Sequence, residues 1–256
     1  MIHMRKDCCN RFCHAVIVHR YIIERMSALE KPLLVLDYSV DMKSGENISR
    51  WFSCSTAVVR IADGSLFPDL VPWDFKAVIH SGSALSIVDD CTFSSGACSF
   101  IERCSSEGVP QMGICYGHQL LAKAMAGSEA VGKAQSLEAG WLPVEFLETW
   151  PQKELRGTKR VWQSHYDCVT AIPEGSVITA TNEHTEIQAF LNMELKLFGT
   201  QFHPEFDRES GNRCFQNDPE LFEKNGIDLN SILQGGPDFN TGEVIFSHFI
   251  KTFGVE

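Results

Sequence analysis

From Lys31 onward, short apolar runs alternate with longer stretches of helical period, and this rhythm constrains the fold more than any other feature. Residues 31–37 read Lys-Pro-Leu-Leu-Val-Leu-Asp, too short for a helix and apolar on both faces, as a buried strand must be. Strand-like runs recur at 57–61, 76–80 and 109–114. Helical patterns follow the last two, at 93–106 and 116–126, the second closed by Gly127 as a C-terminal cap. This order predicts a parallel-rich sheet with helices on both faces. The second half is richer in strands, at 141–147, 160–164, 177–182, 186–192 and 196–202. Residues 207–242, with Gly235-Gly236-Pro237, read as a long loop-rich insertion before a closing helix over 243–253. No repeat or linker divides residues 31–256, which read as one domain.

Residues 1–30 differ. Cys8, Cys9, Cys13 and His14 lie there among basic residues without a clean period, and Met26-Ser27-Ala28 would suit a start of translation. The stretch reads as an extension outside the core, so deleting residues 1–25 is expected to leave activity and melting temperature nearly unchanged. No second Cys/His pair stands at zinc-finger spacing, and neither a metal nor another cofactor is expected. Twenty-two Lys and Arg against 33 Asp and Glu give a formal charge of -11. That balance repels phosphate backbones, which argues against nucleic acid as a partner. No apolar run is long enough to span a bilayer, and no secretory signal precedes the ten cysteines, so a cytoplasmic location with reduced thiols is expected.

Gly113-Ile114-Cys115-Tyr116-Gly117 falls between the strand ending at Ile114 and the helix beginning near Tyr116. It has the pattern of a nucleophile elbow with cysteine as the nucleophile. A side chain at either glycine would collide with the neighbouring strand or helix. The turn sets the thiol at a helix N-terminus, which favours thiolate, and aims backbone N–H groups, Tyr116 among them, where an oxyanion would form. Taken alone, the same five residues also suit a buried structural cysteine.

A cysteine that cleaves amides needs a base, and the base needs orienting. His203-Pro204-Glu205 follows the strand at 196–202. Residues two apart in an extended segment share a face, so His203 and Glu205 can address one point at the strand's carboxyl end. Catalytic groups in open α/β sheets collect at that end, where Cys115 also lies. Taken alone, the triplet also suits a strand-end salt bridge; the elbow decides between the two.

Together, Gly113-Ile114-Cys115-Tyr116-Gly117-His118-Gln119 and Gln201-Phe202-His203-Pro204-Glu205 resemble the two signature segments of the class I, or triad, glutamine amidotransferase family. The resemblance covers roughly residues 31–207. It implies a flavodoxin-like three-layer α/β/α fold with a mostly parallel central sheet, and hydrolysis of a γ-glutamyl amide through a thioester. It also implies that Gln119 contacts the bound glutamyl group and that Gly82 and Ser83 complete the oxyanion hole with Tyr116. The segment containing Ser164 and His165 would hold the substrate's α-amino and α-carboxylate groups through its backbone. Two positions depart from the family pattern. Gly82-Ser83-Ala84 stands where Gly-Gly-Pro is common, and Tyr166 where many members have glycine. These variants, with Asp89-Asp90, resemble the stand-alone branch near the GMP synthetase amidotransferase domain and the γ-glutamyl peptidases.

The expected enzyme therefore takes a small γ-glutamyl substrate, either glutamine or a γ-glutamyl peptide. The latter is expected to be cleaved better, because its freed amine needs no channel to a second active site. Two alternatives are a protein that passes ammonia to a separate synthase partner, and a redox-sensitive or stress-related protein of similar fold that keeps the elbow cysteine without amidase activity; His203 and Glu205 together count against the second. His165 looks like a rival base, but no carboxylate two residues away mirrors Glu205, and Asp167 reads as part of a less constrained stretch. His80, His118, His184 and His248 read as packing or surface residues.

Overall fold

The computed structural model describes residues 31–62 and 64–255. The expected extension, with Cys8, Cys9, Cys13 and His14, lies outside the described residues. Among the described residues, nine strands form one sheet in the order β2-β1-β3-β4-β9-β8-β7-β5-β6. β1 (Leu33–Asp37), β2 (Thr56–Arg60), β3 (Ala77–His80), β4 (Gln111–Ile114) and β9 (Leu197–Thr200) run parallel to their neighbours within that group. β5 (Val131–Phe146), β6 (Gly157–Val169), β7 (Val177–Thr181) and β8 (Ala189–Asn192) continue the sheet with antiparallel pairings.

The period of two along the strands divides the core between the sheet's faces. Leu34, Leu36 and Val78 point into one apolar cluster, which α2 (Ser94–Ser106) and α3 (Tyr116–Ala126) cover with Phe100, Ile101, Leu120 and Leu121. Leu33, Val35 and Ile79 point into the other, covered by Ile48 of α1 (Ser44–Ser49) and by Ile245, Phe246 and Phe249 of α7 (Thr241–Phe253). These side chains are all but fully buried. Each contributes roughly 1.5–3 kcal/mol, and the two clusters make the three-layer arrangement the stable one. No helix among the described residues is long and apolar enough to cross a membrane.

Two parts of the second half differ from expectation. The supposed loop after Asp207 holds three short helices: α4 (Arg208–Gln216), α5 (Pro219–Lys224) and α6 (Leu229–Leu233). Asp207 and Ser210 form a reciprocal capping box at the first, and Asp218 and Asp228 cap the others. Helices of five to nine residues are too short to show a period; the spaced aspartates were the readable signal. Their Phe215 and Phe222 pack with Trp141 and Trp162 in a third apolar cluster. The second difference is the β5–β6 hairpin, which extends well beyond residues 141–147 and 160–164. Its added length carries polar residues that pair across strands, such as Glu138 opposite His165, so the apolar pattern fades while the ladder continues.

Candidate active site

Three adjacent parallel strands deliver their following segments to one end of the sheet. β4 lies between β3 and β9, with Gly113 opposite His80 and Ile114 opposite Thr200. The Ser81-Gly82-Ser83 turn, Cys115 and the His203–Glu205 segment therefore emerge side by side.

Cys115 is nearly buried and has φ 51° and ψ -104°, a conformation that costs a residue with a β-carbon on the order of 1–3 kcal/mol. Its surroundings impose it. The Cys115 N–H donates to Thr200 O at 2.8 Å, and the Gly117 N–H to Ser81 O at 3.1 Å. A β-carbon on Gly117 would overlap the His80 carbonyl oxygen, and one on Gly113 would sit 2.5 Å from His118 N. Both glycines let the helix start directly against the sheet.

The His203 Nδ1–H donates to Glu205 Oε1 at 2.8 Å, and Cys115 lies beside the same ring. Glu205 is fully buried and His203 nearly so. Burial by itself would push the imidazole down, but Glu205 and Cys115 beside it raise it to about 10. The ring is walled by Trp162, which meets it edge-on at 4.7 Å. Gly82 also lies against it: a β-carbon there would come within 2.6 Å of His203 Cε1. The turn singled out for the oxyanion is thus packed directly on the candidate base.

The remaining candidates surround this center. Gln119 is buried, and its Nε2 donates to Asp167 O at 2.7 Å and to Gln201 Oε1 at 3.0 Å, which leaves its amide oxygen for a ligand. Ser164 pairs with Ala139 across the hairpin. His165 Nδ1 bonds Asp167 O at 2.9 Å and Nε2 bonds Glu138 Oε2 at 2.8 Å. With both nitrogens engaged, His165 can serve a ligand only through its backbone, and neither nitrogen is left for a thiol. The ground for setting it aside changes accordingly: a carboxylate does pair with it, from β5 rather than from two residues away. Asp167 is also tightly held, accepting from Ser86 Oγ at 2.7 Å and the Ile87 N–H at 2.9 Å, because β6 runs through it. Tyr166 is 43% exposed, and its hydroxyl accepts from Asn225 Nδ2 at 2.8 Å, tying this segment to the helical insertion.

Glu138 escaped the sequence reading. Its carboxylate gathers His165, Asn182, Gln188 and Thr185; burial pushes it up, but His165, Asn182 and His184 hold it below the usual glutamate range. An acid at an inward position of an alternating strand is the only local hint of it. His80 and His118 behave as packing residues. Burial lowers them to about 4 and about 3, so both rings are neutral.

The class-I glutamine amidotransferase family model matches residues 53–219. A glutamine-hydrolysing GMP synthase subunit from Sulfolobus acidocaldarius is 35% identical over 148 residues, which are 56% of this chain and 75% of that protein. The GMP synthase of Ligilactobacillus salivarius is 39% identical over 140 residues, 54% of this chain but 26% of that longer protein. Among solved structures, a glutamine amidotransferase from Thermotoga maritima superposes with a TM-score of 0.70 at 23% identity, over 89% of this chain and 99% of that one. One from Methylobacillus flagellatus gives 0.68 at 22% identity, over 87% and 95%. At such identities the structures speak for the fold, a flavodoxin-like α/β/α arrangement. With the family model spanning most of the described sheet, and both signature segments within the matched residues, the chain belongs to the class-I glutamine amidotransferases, enzymes that hydrolyse C–N amide bonds.

Proposed function

We propose that the chain hydrolyses a γ-glutamyl amide through a thioester on Cys115, with His203 as acid and base and Glu205 as its orienting carboxylate. The observation that carries this reading is the buried His203–Glu205 pair, 2.8 Å apart, with Cys115 beside the imidazole at the start of α3. The sulfur attacks the γ-carbonyl carbon, and the oxyanion is held by the N–H groups of Tyr116 and of the Gly82-Ser83 turn. The C–N bond breaks as His203 protonates the leaving nitrogen. His203 then takes a proton from water, which attacks the thioester and releases glutamate and the free thiol. Gln119, through its amide oxygen, and the backbone at Ser164 and His165 hold the α-amino and α-carboxylate groups.

The test is release of glutamate from glutamine and from a panel of γ-glutamyl peptides, with Cys115→Ala as blank. No Cys115-dependent release from any of them ends this reading. A second reading is favoured by the likeness to the Sulfolobus GMP synthase subunit, namely that ammonia from glutamine passes to a separate synthase partner. The ratio of kcat/KM for glutamine to that for the peptides separates the two. A tenfold preference for glutamine, roughly 1.4 kcal/mol in the transition state, points to the partner-dependent enzyme, and the reverse to a self-sufficient peptidase.

A further inference from the structure

We infer that Arg50 and Trp51 are positioning residues that fix Glu205 through its backbone carbonyl, an inference that rests on the His203–Glu205 reading above. Arg50 Nη2 donates to Glu205 O at 2.9 Å, and Trp51 Nε1 donates to the same oxygen at 3.2 Å. These donors follow α1, and they reach across the carboxyl end of the sheet to one atom of the candidate triad. They are braced in turn. The guanidinium carbon lies 5.2 Å from the center of the Trp51 ring, and Arg50 also pairs with Asp207 at 3.2 Å. The indole is seated on α7, where a β-carbon on Gly242 would collide with it.

The His203-Pro204-Glu205 segment needs such an anchor. Proline in its middle has no N–H to give. The His203 N–H fixes one end by donating to Trp162 O at 3.0 Å; the Arg50–Trp51 pair fixes the other. The Glu205 side chain cannot hold itself, because Oε1 meets only His203 and buried Oε2 has no hydrogen-bond partner among the described residues. With the carbonyl released, the carboxylate would drift from Nδ1, and His203 would lose one of the two acidic groups that face it, Glu205 and Cys115.

The experiment compares Trp51→Phe, Arg50→Lys, Arg50→Ala and the Arg50→Ala/Trp51→Phe double variant with the full chain. Two readouts are taken: kcat and KM for γ-glutamyl amide hydrolysis, and the iodoacetamide rate at Cys115 at pH 6 relative to pH 9. Trp51→Phe keeps an aromatic ring but loses the donor and part of the indole's bulk, so beside the alkylation ratio it reports on the contact if the double variant fails to fold. The expected result is a kcat about threefold lower in Trp51→Phe and at least about tenfold lower in the double variant, as small misplacements of catalytic groups produce. KM should stay within about twofold, and Arg50→Lys should recover much of what Arg50→Ala loses. The pH 6 to pH 9 alkylation ratio should fall in the same order, which a loss of packing alone would not cause. Unchanged kcat and an unchanged ratio in folded Trp51→Phe and Arg50→Ala overturn the inference. A wild-type chain without Cys115-dependent hydrolysis overturns the proposed function instead, and the alkylation ratio then still judges the clamp.

Discussion

Glu205→Gln tests the triad most sharply, because the substituted amide can meet His203 in two ways and the structure selects between them. With its oxygen at the Oε1 position, 2.8 Å from Nδ1, the amide would accept from Nδ1–H and leave Nε2 able to take the thiol proton. The NH2 group would then occupy the Oε2 position, which is buried and without a hydrogen-bond partner among the described residues. Flipping gives one amide N–H a partner in Nδ1 but leaves the amide oxygen at that same partnerless position; a buried acceptor is tolerated better than a buried donor, so the flipped amide is favoured by roughly fivefold, about 1 kcal/mol. Flipped, it donates to Nδ1 and forces the imidazole proton onto Nε2, facing the sulfur. His203 then cannot act as base. Activity should fall by at least that population factor, with a further loss because the carboxylate charge that stabilises the imidazolium is gone. The shape is conserved, so the variant should still unfold cooperatively, with a melting temperature lowered at neutral pH by loss of the charge that raises His203. The assay is kcat on the best γ-glutamyl substrate beside thermal unfolding. A folded variant within threefold of wild type would refute the reasoning.

Four further outcomes are expected. Cys115→Ala should abolish turnover and leave the fold intact, and iodoacetamide should label Cys115 first, since burial pushes Cys104 up to about 12 and Cys214 up to about 11; mass spectrometry that finds another cysteine ahead of it counts against the activated elbow. Gly117→Ala would set a β-carbon 2.7 Å from both the carbonyl carbon and the β-carbon of His80. Two backbone segments cannot both yield, so a loss of roughly 1–3 kcal/mol and a lower kcat should appear in denaturant unfolding and kinetics. His80 and His118 have folded values lowered to about 4 and about 3 from an unfolded 6.5, so the folded state takes up fewer protons. Their contribution is intact above pH 6.5 and is lost as pH falls toward 4, by about 1.4 kcal/mol per pH unit for each, and a flat melting temperature across that window would exclude it. His203 has the opposite sign, raised to about 10 by Glu205 and Cys115 against burial. Its contribution is full below pH 6.5 and lost as pH rises toward 10, so alkaline melting curves of Glu205→Gln should be flatter than those of wild type.

Whatever rests on short-range chemistry was legible in the order of the amino acids. Strands such as β1 are apolar on both faces because a central parallel strand is buried on both. Gly113 and Gly117 bracket Cys115 because the turn brings backbone against backbone within five residues. His203 and Glu205 stand two apart because an extended segment points them the same way. Each is a local rule, readable without knowing what lies nearby in space. Contacts that cross between distant segments were settled only by folding. Arg50 meets the Glu205 carbonyl across 155 positions, and Glu138 finds His165 across 27. Helices α4 to α6 hold because their aromatic residues pack on Trp141 and Trp162, not because so few residues sustain a helix alone. A hydrogen bond carries no sequence period. Its partners are chosen by which strand ends the sheet order makes neighbours, and β4 lies beside β9 only once nine strands have paired.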